Sequence, residues 1–227
     1  MPNDDALNRQ LTAVAGILLA VFFAVALLLP GTPPKADDSV QEITKFLVDK
    51  RGSLLAGDVF LGLGGLAFLV FAGGLRRYLA AASQDAGGLA AVAFGGAVAG
   101  IALLFCAAAV TNGIVFEAAS AGGDLVRAFF DTVTAFFAIS GFAFFVFLGA
   151  ASWAAARAGA FPASIVWVGV LAAVLQVLGG ITLFAESGFF AGGGGITFLA
   201  PIVSTLWILA VSVLLYRGPP SPASAHP

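Results

Sequence analysis

Histidine and cysteine are almost absent from this sequence, which contains one residue of each type. The histidine, His226, lies next to the C-terminal residue and outside every long apolar run. Paired imidazole ligands for haem, zinc clusters and histidine-dependent catalytic triads are therefore excluded from the apolar part of the chain. The cysteine, Cys106, cannot form an intramolecular disulfide, and we expect it to be a small buried apolar residue. We predict no cofactor and no metal site.

Charged residues are also scarce. They make up 10% of the sequence against 60% for hydrophobic residues, and the formal net charge is -2. A protein that binds phosphate backbones needs a surplus of basic residues, so nucleic acid is not an expected partner. No lysine lies inside a long apolar run, which excludes a retinal-type Schiff base there. Because a soluble fold could not bury so much apolar surface, the expected partner is the lipid bilayer.

Six long apolar runs dominate the sequence. A helix needs about 20 residues to cross a hydrocarbon core of about 30 Å, and each run is close to that length. The runs lack the alternation of a barrel strand, so we interpret all of them as transmembrane helices. They cover residues 11–29, 54–75, 88–110, 129–150, 165–184 and 196–216. The sequence therefore predicts an all-α polytopic membrane protein, a single bundle over residues 1–217 with a disordered tail over residues 218–227.

The connection between the first two runs carries a helix-start signal. Ser39 and Glu42 have the spacing of a capping box, in which each side chain bonds the backbone N–H of the other residue. Val40, Ile43 and Leu47 then recur at helical spacing. We predict a short amphipathic helix ending near residue 49, which either packs on the bundle or lies against the membrane.

The distribution of basic and aromatic residues bears on orientation. We call the side with both termini side A, and the side with the connections after the first, third and fifth helices side B. Basic residues divide evenly between the two sides, but Tyr78, Trp153, Trp167 and Tyr216 all fall at side A ends of helices, near arginines. Amphipathic rings are typical of the headgroup level, and arginines in short loops are typical of the cytoplasmic side. We predict a cell-membrane protein with both termini in the cytoplasm.

Polar residues are concentrated toward side B. A carboxylate near a helix N-terminus is stabilised by the helix dipole, whereas several together could line a pocket for an ion or a small polar solute. Arg127 and Asp131 are four residues apart, hence on one helical face. We predict that these two residues and Asp58 form one interhelical cluster. The candidate polar cluster comprises Asp58, Asn112, Glu117, Arg127, Asp131 and Glu186, of which Asn112 and Glu117 follow the third run and Glu186 follows the fifth.

Two further features concern the interior of the bundle. Gln176 lies near the middle of the fifth helix and needs a hydrogen-bonding partner on another helix. A row of small residues in the third helix permits close approach of a neighbouring helix, either within the chain or in a second copy. This helix-packing row consists of Ala93, Gly96, Ala97 and Gly100.

Several short segments together resemble a known kind of protein. They are Asp49 to Gly52, Gly74 to Arg77, the helix that contains Asp131, and the turn from Arg157 to Pro162 before Val166 to Gly169. In these segments the chain resembles uncharacterised multi-pass membrane proteins of actinobacteria, a family of unknown function. The residues Ala163 and Ser164 depart from the basic or aromatic residue that often follows the proline. The resemblance implies the same topology and carries over no activity.

Three functions are compatible with the sequence. The first is a non-enzymatic accessory or structural membrane protein, with a homo-oligomer or another membrane protein as its partner. The second is a small transporter or solute-binding protein, which would need a polar cavity reaching mid-membrane near Gln176. The third is an enzyme that acts on lipid headgroups through a metal, which would need Asp58, Glu117 and Asp131 within ligand range of one another.

Overall fold

The computed structural model describes residues 2–185 and 187–218, and these contain helices but no strands. Six helices are long and apolar enough to span a membrane, and only α2 is not among them. The chain is therefore an all-α, multi-pass membrane protein. Short 3₁₀ turns precede α4, at Gln84–Ala86, and follow α6, at Gly180–Leu183. The helices are α1 (Pro2–Leu28), α2 (Val40–Asp49), α3 (Arg51–Ala82), α4 (Gly87–Glu117), α5 (Gly123–Ala158), α6 (Ala163–Gly179) and α7 (Gly195–Arg217).

Most helices extend beyond the apolar runs that predicted them. The third run ends at residue 110, but α4 continues to Glu117, so Asn112 lies inside the helix rather than after it. The fifth run extends to residue 184, whereas α6 ends at Gly179 and gives way to the 3₁₀ turn. Hydropathy marks only the part of a helix that lies in hydrocarbon, and polar turns outside that layer can remain helical. The predicted disordered tail lies outside the described residues except for Gly218.

The six spanning helices form a closed ring. Each packs on its neighbours in the order α1, α3, α4, α5, α6, α7 and back to α1, and helices that are adjacent in the ring run antiparallel. Aromatic side chains from alternate helices meet at its centre, where Phe68 of α3, Phe147 of α5 and Trp207 of α7 are almost fully buried. The Phe147 ring lies edge-on to both partners, with centroids 5.1 Å from Phe68 and 6.0 Å from Trp207. The centre of the ring is therefore filled with side chains at this level.

The predicted row of small residues packs inside the chain. A Cβ atom on Gly96 would lie 2.7 Å from the backbone nitrogen of Phe147 and 2.8 Å from the carbonyl oxygen of Ala143. Backbones of α4 and α5 thus come into direct contact at this glycine, as expected of small residues at four-residue spacing. Gly100 faces the Phe144 ring one turn further on, while Ala93 and Ala97 are buried. The sequence left open whether this row packs within the chain or against a second copy, and in the structure it packs within the chain.

The predicted capping box and amphipathic helix are both confirmed. Ser39 Oγ accepts a hydrogen bond from the Glu42 N–H, and Glu42 Oε2 accepts one from the Ser39 N–H at 3.0 Å. On the inner face of α2, Ile43 and Leu47 are buried against the side B ends of α4 and α5. The helix therefore packs on the bundle. Its apolar partners there are Ile114, Val115, Ala118 and Val126.

Removing the cap should loosen α2. We expect Ser39→Ala to reduce the stability of this helix by about 0.5 to 2 kcal/mol, since the substitution leaves a first-turn N–H without its acceptor. Amide hydrogen exchange over residues 40–49 would measure the change as faster exchange. Ser164→Ala, at an exposed position on side A, is the matched control and should leave exchange in α2 unaltered. Equal exchange in the two variants would contradict the prediction.

One expectation about the interior is wrong. Cys106 is exposed on the surface of the isolated chain rather than buried in the bundle. In a membrane-spanning helix the outer surface faces lipid, which accepts a small apolar side chain as readily as a protein core does.

Candidate functional site

The side B end of the bundle holds most of the predicted polar cluster, and Arg127 is its best-connected member. This side chain projects from the first turns of α5, and its Nε atom lies 3.1 Å from a carboxylate oxygen of Asp131. The spacing of four residues on one helix produces this ion pair directly, as predicted. Asp131 is exposed and Arg127 is partly exposed, so solvent weakens the ion pair itself.

Arg127 also binds the connection between α1 and α2. Its Nη1 atom donates to the carbonyl oxygen of Asp38 at 3.2 Å, and its Nη2 atom donates to the carbonyl oxygen of Ala36. A guanidinium group suits this position because its planar fork can serve several acceptors at once. The side chain therefore fixes a segment that lies about 90 residues away in the sequence.

The same connection is hydrogen-bonded to the loop between α6 and α7. The Ala36 N–H donates to the carbonyl oxygen of Gly192 at 3.0 Å. A Cβ atom on Gly192 would lie 2.6 Å from the Thr134 side chain, so this loop also packs closely against α5. Gly193 has a φ of 78°, a left-handed conformation that favours glycine. The two loops and Arg127 thus form one continuous assembly, which we call the side B cap.

Asp58 lies elsewhere, on the face of α3 that packs against α4. The side chain of Asn112 on α4 lies close to it. The Oδ2 atom of Asp58 is buried and has no hydrogen-bond partner among the described residues. The only salt bridge in the described part of the chain joins Arg127 to Asp131. The predicted ion pairing of Asp58 with Arg127 is therefore absent from the described residues, and Asp58 lies apart from the pair formed by Arg127 and Asp131.

The position of the helices explains this division. In the ring, α4 lies between α3 and α5. The residues Asp58 and Gly65 are seven apart on α3, hence on one face, and Gly65 packs against Phe105 and Ile101 of α4. Asp58 consequently faces Asn112, while Arg127 on α5 is directed toward the loops.

The remaining carboxylates do not complete a common site. Glu117 is exposed at the end of α4, where the Ser120 hydroxyl donates to its carbonyl oxygen at 3.1 Å. Glu186 lies outside the described residues. Within residues 2–185 and 187–218, no three His, Cys, Asp or Glu side chains are close enough together to hold a metal ion. The convergence of Asp58, Glu117 and Asp131 that a metal-dependent headgroup enzyme would need is therefore not found there.

Gln176 has the interhelical partner that the sequence required. Its side chain is buried, and Nε2 donates to Ser204 Oγ on α7 at 2.9 Å. The serine hydroxyl in turn donates to the Ala200 carbonyl at 2.8 Å. A polar group in hydrocarbon needs such partners within the protein, because no water is available there to bond it. The amide thus joins α6 to α7.

Two cavities lie near the side B cap, outside the ring of helices. One, of about 320 Å³, is formed by Lys35, Asp37, Phe198 and the glycine-rich loop before α7. The other, of about 450 Å³, is an open groove between the outer face of α2 and the loop before α5. Neither is lined by Asp58 or Gln176. Both cavities are therefore lined mainly by α2 and by the loops on side B.

The aromatic centre of the ring was not identified from the sequence. With 22 phenylalanines in the chain, no pattern separates Phe68 and Phe147 from rings that face lipid. One signal was available, because Trp207 is the only tryptophan placed in the middle of a run rather than at its end. Its Nε1 donates to the Ile165 carbonyl at 2.9 Å, which satisfies the indole deep in the bundle.

Comparison with family models, with curated proteins and with solved structures finds no match to this chain. The resemblance to uncharacterised actinobacterial membrane proteins accordingly stays a prediction.

Proposed function

We propose that the chain is a non-catalytic accessory or structural protein of the membrane, which acts through contacts with other membrane proteins or with a second copy of itself. The observation that carries this proposal is the filled centre of the ring. Phe68, Phe147 and Trp207 are 3%, 2% and 1% exposed, respectively, and they meet where a solute pathway would pass. Because the filled centre leaves no path for a solute at this level, the bundle interacts with other molecules through its outer surface.

The two alternatives have less support. A transporter needs a polar path across the membrane, whereas the mid-membrane amide of Gln176 is bonded to Ser204. An enzyme acting on lipid headgroups needs converging acids, whereas Asp58 faces Asn112 and Asp131 pairs with Arg127. The accessory role requires neither arrangement.

Site-specific photo-crosslinking in intact membranes would test the proposal. A photoreactive phenylalanine analogue is placed at one exposed position on each of several helices in turn. Leu66, Val92, Phe142, Trp167 and Leu206 are suitable because all are between 47% and 69% exposed. We expect adjacent helices to give one discrete protein adduct and the remaining positions to give lipid adducts only, since an interface covers one side of a ring.

The control is the same analogue at Phe71, which is fully buried and should give only intramolecular products. Reconstituted protein is assayed in parallel for solute uptake into vesicles. Absence of a protein adduct at every exposed position, together with solute uptake that depends on Gln176, would refute the accessory role and favour a transporter.

We further propose that the protein lies in the cell membrane with side A in the cytoplasm. Trp153, Trp167 and Tyr216 are 57%, 69% and 58% exposed at the side A ends of their helices, where they can reach the headgroups. Alkaline phosphatase fused after Asp49 should then be active and the same enzyme fused after Arg77 inactive. The opposite result would reverse the orientation.

A further inference from the structure

The arginines at the side A end of the bundle form no ion pairs among the described residues. The one salt bridge found there, between Arg127 and Asp131, lies on side B. Asp5 and Asp85, the side A acids whose side chains the structure describes, are exposed and take no part in it. Side A therefore carries positive charge that these two acids do not neutralise. The arginines concerned are Arg9, Arg76, Arg77, Arg157 and Arg217.

Arg9 is held at the interface between α1 and α7, which are neighbours in the ring. Its Nη2 atom lies 3.6 Å from the Cβ position of Gly218, directly after the end of α7. Its Nε atom is buried and has no hydrogen-bond partner in the part of the chain that the structure describes. Packing against the protein therefore fixes this guanidinium group, and no described carboxylate binds it.

Arg217 adds a second positive charge at the same end of α7. It follows Val213 by four residues and Leu206 by eleven, so the three side chains share one helical face. Val213 and Leu206 are exposed, and an exposed face of a spanning helix contacts lipid. Arg217 is itself exposed, beside Tyr216. Arginine and tyrosine at the end of a span are typical of the headgroup level.

We propose that Arg9 and Arg217 bind the phosphate group of an anionic phospholipid at the side A end of the interface between α1 and α7. A guanidinium group can donate two parallel hydrogen bonds to phosphate oxygens, and two arginines complement a headgroup of net negative charge. The acyl chains can pack on exposed apolar residues of the same two helices, among them Leu11 and Val213.

Other arginines of side A lie elsewhere in the ring. The Arg76 guanidinium is 5.7 Å from the centre of the Phe94 ring, so it is directed toward α4. Arg157 is exposed on α5, which lies across the ring from α1. The proposed site goes beyond the accessory role and rests neither on it nor on the orientation of the chain.

The test is native mass spectrometry of the full chain, released from nanodiscs that contain phosphatidylglycerol and phosphatidylcholine in equal parts. We expect the protein to retain phosphatidylglycerol in preference, because phosphatidylcholine carries a positive charge of its own. Arg9→Gln and Arg217→Gln each remove charge-assisted hydrogen bonds and should each weaken retention of phosphatidylglycerol about tenfold. Arg157→Gln is the matched control and should keep the preference.

Equal retention of the two lipids by the unmodified chain would overturn the proposal. So would an equal loss in Arg157→Gln, since the lipid would then respond to the overall charge of side A. Glycerol phosphate has a phosphate ester but no acyl chains and should not displace the lipid. Displacement by it would mean that the site takes free phosphate esters instead. Arg217 is exposed at the end of α7, so Arg217→Gln should fold even if Arg9→Gln does not, and unchanged retention in Arg217→Gln would refute the site.

Discussion

Gly96→Ala should destabilise the bundle strongly, although alanine is the better helix former. The added methyl group would lie 2.7 Å from the Phe147 nitrogen and 2.8 Å from the Ala143 carbonyl oxygen. Both are backbone atoms of α5, so no side-chain rotation can relieve the contact, and α4 and α5 have to separate. Overpacking of this kind costs about 1 to 3 kcal/mol and sometimes more. The gain in helix propensity, about 1 kcal/mol at most, offsets only part of that cost.

The neighbouring glycine provides a matched control. Gly95 lies in the same helix, and a Cβ atom there would meet nothing within 4 Å. Gly95→Ala should therefore be neutral or slightly stabilising, since it has the propensity gain without the contact. The thermal unfolding midpoints of the two variants, measured in lipid nanodiscs, would test this difference in stability. Equal midpoints for both would mean that α4 and α5 are not packed through Gly96.

Gly141→Ala extends the same reasoning to the next interface of the ring. Its added methyl group would lie 2.5 Å from the backbone oxygen of Gln176 on α6. If α5 can shift away from α4, the destabilisation caused by Gly96→Ala will be small. Gly141 restrains such a shift, because it packs against α6 on the other side of α5. We expect the double variant to lose more stability than the sum of the single variants, because the two contacts share α5.

The architecture was largely predictable, because it follows from hydropathy alone. Backbone groups in lipid have to be bonded within each segment, so a long apolar run becomes a helix almost regardless of its other residues. The helix ends were less predictable. The turns of α4 that contain Asn112 and Glu117 are too polar to stand out in a hydropathy window, yet they continue the helix.

The polar residues show where sequence reasoning succeeds and where it fails. The ion pair of Arg127 and Asp131 follows from spacing on one helix, and the need of Gln176 for a partner follows from its depth. Choosing the partner of Asp58 required knowing which helix lies beside α3, and the spacing within one helix contains no such information. The carbonyl oxygens that Arg127 binds could not be predicted from the sequence either, because every residue has a carbonyl oxygen. Only the path of the loop brings those of Ala36 and Asp38 within reach of the guanidinium group.

Arg127→Ala should release the side B cap. The substitution removes three hydrogen bonds from one guanidinium group, two of which hold the connection between α1 and α2. A hydrogen bond to a charged group contributes about 1.5 to 3 kcal/mol when it is shielded from water. The exposed pairing with Asp131 adds little. Because the group is partly exposed, we expect a total loss of about 2 to 4 kcal/mol.

The loss should be visible first in the loops. Ala36 also holds Gly192, so freeing residues 29–39 should free the glycine-rich loop before α7 as well. Limited proteolysis from side B, or hydrogen exchange of the Ala36 amide, would report the release. Arg127→Lys should restore the cap only in part, because one ammonium group cannot reproduce the planar fork that serves three acceptors.

Two control variants separate the roles of Arg127. Arg157→Ala removes an exposed arginine at the opposite end of α5 and should change stability far less. Asp131→Asn removes the ion pair but leaves both loop carbonyls bonded, so it should leave proteolysis of the loops nearly unchanged. If Asp131→Asn released the loops as fully as Arg127→Ala, the cap would depend on the ion pair to orient the guanidinium. If Arg127→Ala left the loops protected, the contacts around Gly192 and α2 would be sufficient to hold the cap.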